Sequence, residues 1–126
     1  MIAYSMVGAS DLEKARSFYG SLLAELGAKE IMVRPDGNAI FYGVARGKPM
    51  FGICKPWDEA APHPGNGTMT AFSAENPAQV KALYERAIKL GATDEGGPGP
   101  RLDGLVSCAY VRDPDGNKLN FFCMGA

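Results

Sequence analysis

The sequence predicts an α+β fold made of two copies of one strand–helix–three-strand module. A helical pattern opened by Ser10-Asp11-Leu12-Glu13 runs through Phe18-Tyr19 to Leu26-Gly27-Ala28, and a second, opened by Asn76-Pro77-Ala78-Gln79, runs through Leu83-Tyr84 to Leu90-Gly91-Ala92. Each helix follows one short apolar run and precedes several more, divided by Gly, Pro, Asp and Asn turns. Between the copies, Pro56, Pro62, Pro64, Gly65 and Gly67 make residues 56–67 a connector that suits neither helix nor central strand. The organisation is one domain: a module at residues 1–55, the connector 56–67, and a module at residues 68–126.

Residues 2–9 are small and alternate in character, as a strand with Tyr4 and Met6 on one face and Val7 and Ala9 on the other. Ser10 is placed as the N-cap of the first helix, because Glu13 stands where its side chain reaches back to the cap amide. Leu12, Ala15, Tyr19, Leu22, Leu23 and Leu26 form its apolar stripe, and Gly27 ends it. Strands follow at residues 31–34, 39–45 and 50–55, separated by Pro35-Asp36-Gly37-Asn38 and Arg46-Gly47-Lys48.

In the second copy residues 68–74 repeat the first strand. Asn76 caps the helix with Pro77 in its first turn and Gln79 completing a capping box. Val80, Leu83, Tyr84, Ala87 and Ile88 are its stripe, and Gly91 its stop. Residues 96–104, with four glycines and two prolines, read as too loose for a strand. The sheet resumes at 105–111 and 118–123, joined by the hairpin turn Asp113-Pro114-Asp115-Gly116-Asn117.

At 126 residues, folding removes roughly two thirds of the extended chain's surface from water, enough for an ordinary core. Thirteen basic and 14 acidic residues give a net charge of −1 without runs of like charge, which argues against nucleic acid and anionic membranes as partners. No stretch approaches the roughly 20 apolar residues of a membrane span, and the N-terminus lacks a basic leader, so a cytoplasmic protein is expected. Cys54, Cys108 and Cys123 are odd in number, lack CxxC spacing and read as reduced core thiols.

Ser10-Asp11-Leu12-Glu13-Lys14-Ala15 leading to Phe18-Tyr19, Gly67-Thr68-Met69-Thr70-Ala71-Phe72, and Asp113-Pro114-Asp115-Gly116-Asn117-Lys118-Leu119-Asn120 together resemble the vicinal oxygen chelate superfamily. That superfamily contains glyoxalase I, bleomycin-resistance proteins and extradiol dioxygenases. The resemblance implies two βαβββ modules whose mixed sheets curl around a shared cavity. It also implies a divalent metal held by the first and last strand of each module, commonly by His or Gln and by Glu.

Carried onto this chain, the ligand positions are Tyr4, Phe51, Met69 and Asn120, and all four depart from the pattern. Phenylalanine has no lone pair, a thioether suits soft copper, and neutral phenol and amide oxygens bring no charge to the ion. The expectation is a site with no metal and no cofactor.

If those positions face the cavity, strand alternation adds Met6, Ile53, Ala71 and Phe122 beside them. Two readings stand open: a pocket for a small molecule oriented by Tyr4 and Asn120, or a bowl that these side chains fill as a second core. Arg101, with Asp103 in the glycine-rich stretch, is either a partner for an anionic group or an exposed loop ion. His63 lacks an orienting neighbour and reads as a solvated loop residue, and Trp57 as a module-boundary or dimer contact.

The function expected is therefore binding or sequestration of a small apolar or weakly anionic molecule by a homodimer, in the manner of the bleomycin-resistance branch. The alternative is a glyoxalase-like lyase, isomerase or dioxygenase with a metal on other ligands. A third possibility is a degenerate domain kept for partner contact.

Overall fold

The structure, a computed structural model, describes residues 1–125. The fold is α+β: two four-stranded mixed sheets, each with one helix. The chain divides into two compact units, residues 1–64 and 65–126.

In the first unit the strands are β1 (Tyr4–Gly8), β2 (Lys29–Val33), β3 (Ala39–Gly43) and β4 (Met50–Cys54), with α1 (Leu12–Ala24) after β1. The sheet order is β1-β4-β3-β2, β1 and β4 being parallel and the other pairs antiparallel. Residues 34–38 and 44–49 close the hairpins. The second unit repeats the plan with β5 (Thr70–Ser73), α2 (Pro77–Lys89), β6 (Thr93–Arg101), β7 (Val106–Arg112) and β8 (Lys118–Met124), in the order β5-β8-β7-β6.

Both helices end by the same device. The Ala28 N–H donates to the Leu23 carbonyl across Gly27 at φ 73°, and the Ala92 N–H to the Ala87 carbonyl across Gly91 at φ 105°. A six-residue return bond around a left-handed residue satisfies carbonyls that the helix end would otherwise leave open, and glycine enters that conformation without a Cβ clash. This explains the repeated Leu-Gly-Ala.

The starts differ from expectation by one residue in the first copy. Asp11, not Ser10, is the cap of α1, its Oδ1 accepting from the Lys14 N–H at 3.1 Å. A carboxylate meets the positive helix terminus more favourably than a hydroxyl does. In the second copy Asn76 caps as expected, accepting from the Gln79 N–H at 2.9 Å, while Gln79 Oε1 accepts from the N–H of Glu75 rather than from the cap itself.

β6 corrects the expectation of a loop. Residues 93–101 pair with β7 as an edge strand whose register shifts twice, between Asp94 and Gly96 and between Gly96 and Gly99. Prolines 98 and 100 are tolerated there because an edge strand has one row of N–H groups without a ladder partner, and glycine accommodates the bulges.

Each sheet buries one face against its own helix. In the first unit Tyr19 of α1 meets Phe51 with ring centres 4.9 Å apart, and the Tyr42 hydroxyl donates to the Arg16 carbonyl at 3.3 Å. In the second, the Tyr84 hydroxyl of α2 donates to Asp94 Oδ1 at 2.9 Å, and Asp94 stands opposite Val111. Val80, Leu83, Ala109, Val111, Leu119 and Phe121 on that side are completely enclosed. No helix among the described residues is long and apolar enough to cross a membrane.

Candidate functional site

Strand alternation divides each sheet into a helix-covered face and a helix-free face, and the expected site residues do not all fall on the same one. In the first unit Tyr4 and Met6 lie on the helix-free face. The Tyr4 ring meets the edge of Phe41 at 5.1 Å and a plane angle of 82°. Phe51 and Ile53 do not join them: they pair with Tyr42 and Ile40 on the helix side, where Phe51 packs on Tyr19.

The residue opposite Met6 is Gly52, as Asn120 is opposite Ala71 in the second unit. The position equivalent to Asn120 is thus one residue after Phe51. A one-residue slip moves every side chain to the other face of a sheet, and the run Met50-Phe51-Gly52-Ile53-Cys54 has no polar alternation that would reveal it. At Gly52 a Cβ would lie 3.1 Å from Met6 Cβ, Met6 Cε and Phe41 Cδ1. Apolar side chains already fill the space where a ligating side chain would stand.

In the second unit the expected residues come together. Met69 precedes β5 and is exposed; Ala71, Asn120 and Phe122 share the helix-free face. Asn120 is 5% exposed, and its Oδ1 is buried without a hydrogen-bond partner. An amide oxygen in that state costs about 1–3 kcal/mol relative to a satisfied one.

Two neighbours of Asn120 escaped the sequence reading. Tyr110 stands directly opposite it in the β7–β8 ladder, and Lys118 lies two residues before it on the same face. The hairpin turn fixes this register. Asp113 Oδ1 accepts from the N–H groups of Asp115 and Asn117, both at 2.9 Å, and Asn117 Nδ2 donates to Asp113 Oδ2 at 2.9 Å. Counting back from that recognised turn would have found both residues.

Arg101 reaches the same group from the edge strand. Its guanidinium carbon lies 5.9 Å from the Tyr110 ring centre, and Lys118 Nζ lies 5.4 Å from it. The glycines of β6 make the path: a Cβ at Gly96 would be 3.1 Å from Tyr110 Cδ2, and one at Gly99 would be 3.3 Å from Arg101 Nη1. Nη2 donates to the Gly97 carbonyl at 2.8 Å and Nη1 to the Pro100 carbonyl at 3.1 Å. Hydrogen bonding with the buried Cys108 thiol, and then burial, raise the Tyr110 phenol above its ordinary range, while Arg101 pulls it back down.

The donor set does not suit the divalent ion that the resemblance implies. Phe51 faces the helix, Gly52 has no side chain, Tyr4 and Met69 bring a neutral phenol and a thioether, and Asn120 offers one uncharged oxygen. Among the described residues no three His, Cys, Asp or Glu side chains cluster as a metal site. His63 is exposed, and the three cysteines are free thiols. Burial raises the Cys54 thiol, which makes it a poor nucleophile.

Trp57 is 86% exposed, with the Arg34 guanidinium 5.4 Å from its ring centre. It borders a cleft of about 660 Å³ in the first unit that Ser10, Asp36, Asn38, Lys55 and Glu59 also line.

Comparison with known proteins places this geometry among relatives. The model of the Glyoxalase/Bleomycin resistance protein/Dioxygenase superfamily matches residues 2–121. A crystal structure of a glyoxalase/bleomycin resistance protein from Albidiferax ferrireducens T118 is 35% identical, each chain being covered over 97%, with a TM-score of 0.85. Two more distant structures share the fold alone. A glyoxalase-related enzyme from Fulvimarina pelagi is 22% identical with a TM-score of 0.74, over 97% of this chain and 86% of that one. Lactoylglutathione lyase from Agrobacterium tumefaciens is 23% identical with a TM-score of 0.67, over 97% and 92%. No curated protein matches the chain.

Proposed function

We propose that this chain, which belongs to the Glyoxalase/Bleomycin resistance protein/Dioxygenase superfamily, binds a small organic molecule on the helix-free face of its second sheet without a metal ion. The observation that carries the reading is Asn120 Oδ1, a buried acceptor with no partner, aligned with Tyr110, Lys118, Ala71 and Phe122 on one face. A core residue chosen only for filling would be apolar there, since an unsatisfied amide lowers stability without improving packing. A ligand that donates to Oδ1 and lays an apolar body on Phe122 satisfies both features.

The role is sequestration or sensing by a cytoplasmic homodimer. The metal-dependent lyase, isomerase or dioxygenase is the rival, and the poor donor set speaks against it. The test is a thermal-shift panel of metabolites on wild type and Asn120→Ala, run with and without chelator, together with elemental analysis of protein purified without chelator. The reading requires a ligand-dependent rise in melting temperature that survives chelation and is lost in Asn120→Ala. Stoichiometric nickel, zinc, manganese or iron, with binding abolished by chelation, would establish the rival.

A further inference from the structure

The face around Asn120 carries two cations that the fold does not neutralise. Among the described residues neither Arg101 nor Lys118 pairs with a carboxylate; Arg101 donates only to backbone carbonyls. Arg112 on the same face differs, because Glu95 accepts from its Nε at 2.5 Å. The whole chain has a net charge of −1, so this local positive excess is not a reflection of composition.

The placement of Arg101 is built into the strand and the turn after it. Glycines 96 and 99 leave the room in which its side chain lies, and the Gly97 carbonyl accepts from it. The following turn, closed by the Gly104 N–H donating to the Arg101 carbonyl at 3.1 Å, holds Leu102 and Asp103 at φ 52° and 54°. Two side-chain-bearing residues in the left-handed region are a strained arrangement, of the kind that clusters at ligand sites.

Two unneutralised cations beside one unsatisfied acceptor define a complementary ligand. We infer that the second unit takes a small carboxylic acid that also carries an N–H or O–H donor. The carboxylate meets Arg101 and Lys118 beside the Tyr110 ring, the donor meets Asn120 Oδ1, and the rest of the molecule lies on Phe122 and Ala71. This rests on the binding reading above and adds the charge and donor of the ligand. A neutral apolar molecule would leave all three groups unpaired, and a bare cation would be repelled by two of them.

Three probes separate the elements in a titration followed by amide chemical shifts. N-benzoylglycine has the acid and the N–H, its methyl ester lacks the charge, and N-benzoyl-N-methylglycine lacks the donor. N-benzoylglycine is expected to shift the amides of Tyr110, Lys118 and Asn120 and to bind at least about tenfold more tightly than either analogue. In the Arg101→Gln/Lys118→Gln double variant its affinity falls about tenfold or more, while that of the ester stays unchanged. An ester that binds wild type as tightly as the acid overturns the inference but leaves the small-molecule reading standing. Absence of shifts at these amides with all three probes also overturns it, and only an additional failure of the metabolite panel removes both.

Discussion

Tyr110 and Asn120 stand directly opposite each other in the β7–β8 ladder, on the face that α2 leaves uncovered, and the amide oxygen of Asn120 has no partner there. Residues opposed in an antiparallel pair have Cβ atoms about 4.5–5.5 Å apart, so the phenol ring and the buried amide are immediate neighbours.

Asn120→Leu keeps a similar volume and removes the unsatisfied polar atom. It is expected to leave stability unchanged or to raise it by about 1 kcal/mol, while abolishing ligand binding. Urea unfolding beside a ligand titration measures both. A loss of more than about 1 kcal/mol would mean that the amide already has a partner in the folded state.

Asp113→Ala removes an acceptor of three hydrogen bonds from a side chain only 4% exposed. Unfolding free energy should fall by about 2–4 kcal/mol, and ligand affinity should fall with it, because the turn sets the register that opposes Tyr110 to Asn120. A variant with wild-type stability would show that the β7–β8 ladder alone sets that register.

Gly52→Ala places a methyl group 3.1 Å from Met6 and Phe41. A cost of about 1–3 kcal/mol is expected by urea unfolding, with partial recovery in Gly52→Ala/Met6→Ala, which removes the contact with Met6 Cε while that with the Cβ of residue 6 stays. Equal stability of Gly52→Ala and wild type would contradict the packing described for the first sheet.

Burial pushes the Tyr42 phenol up to about 12. The folded chain therefore holds this proton where the unfolded chain, with an ordinary value near 10, has released it. The contribution is fully present below about pH 10 and is lost as pH rises towards about 12. Tyr42→Phe, which gives up the bond to the Arg16 carbonyl, should cost about 1 kcal/mol at neutral pH and flatten the alkaline decline in melting temperature. An unaltered alkaline decline would assign it to other groups.

What the sequence made legible was local. Helix stops at Gly27 and Gly91, the cap at Asn76 and the turn at Asp113–Asn117 each depend on a few neighbouring residues whose types suit few backbone conformations, and the duplicated pattern gave the order of elements. The strand at residues 93–101 was hidden because its glycines serve a contact with Arg101 and Tyr110 that no local pattern encodes. The facing of Phe51 was hidden for a related reason: an all-apolar strand has no alternation, so its register depends on pairing with Met6 and Phe41. Of the candidate site, Asn120 was readable from the motif and Phe122 from alternation beside it, Lys118 lies where the same alternation leads in the other direction, Arg101 stood open between an anion partner and a loop ion, and Tyr110 enters only through pairing across the hairpin.

A crystal structure of the protein with the tightest-binding molecule from the metabolite panel shows whether a ligand meets Asn120. An N–H or O–H group of that molecule is expected within about 3.2 Å of Asn120 Oδ1. A ligand seated instead in the cleft beside Trp57, or a metal ion bound to the Asn120 amide oxygen, would contradict it.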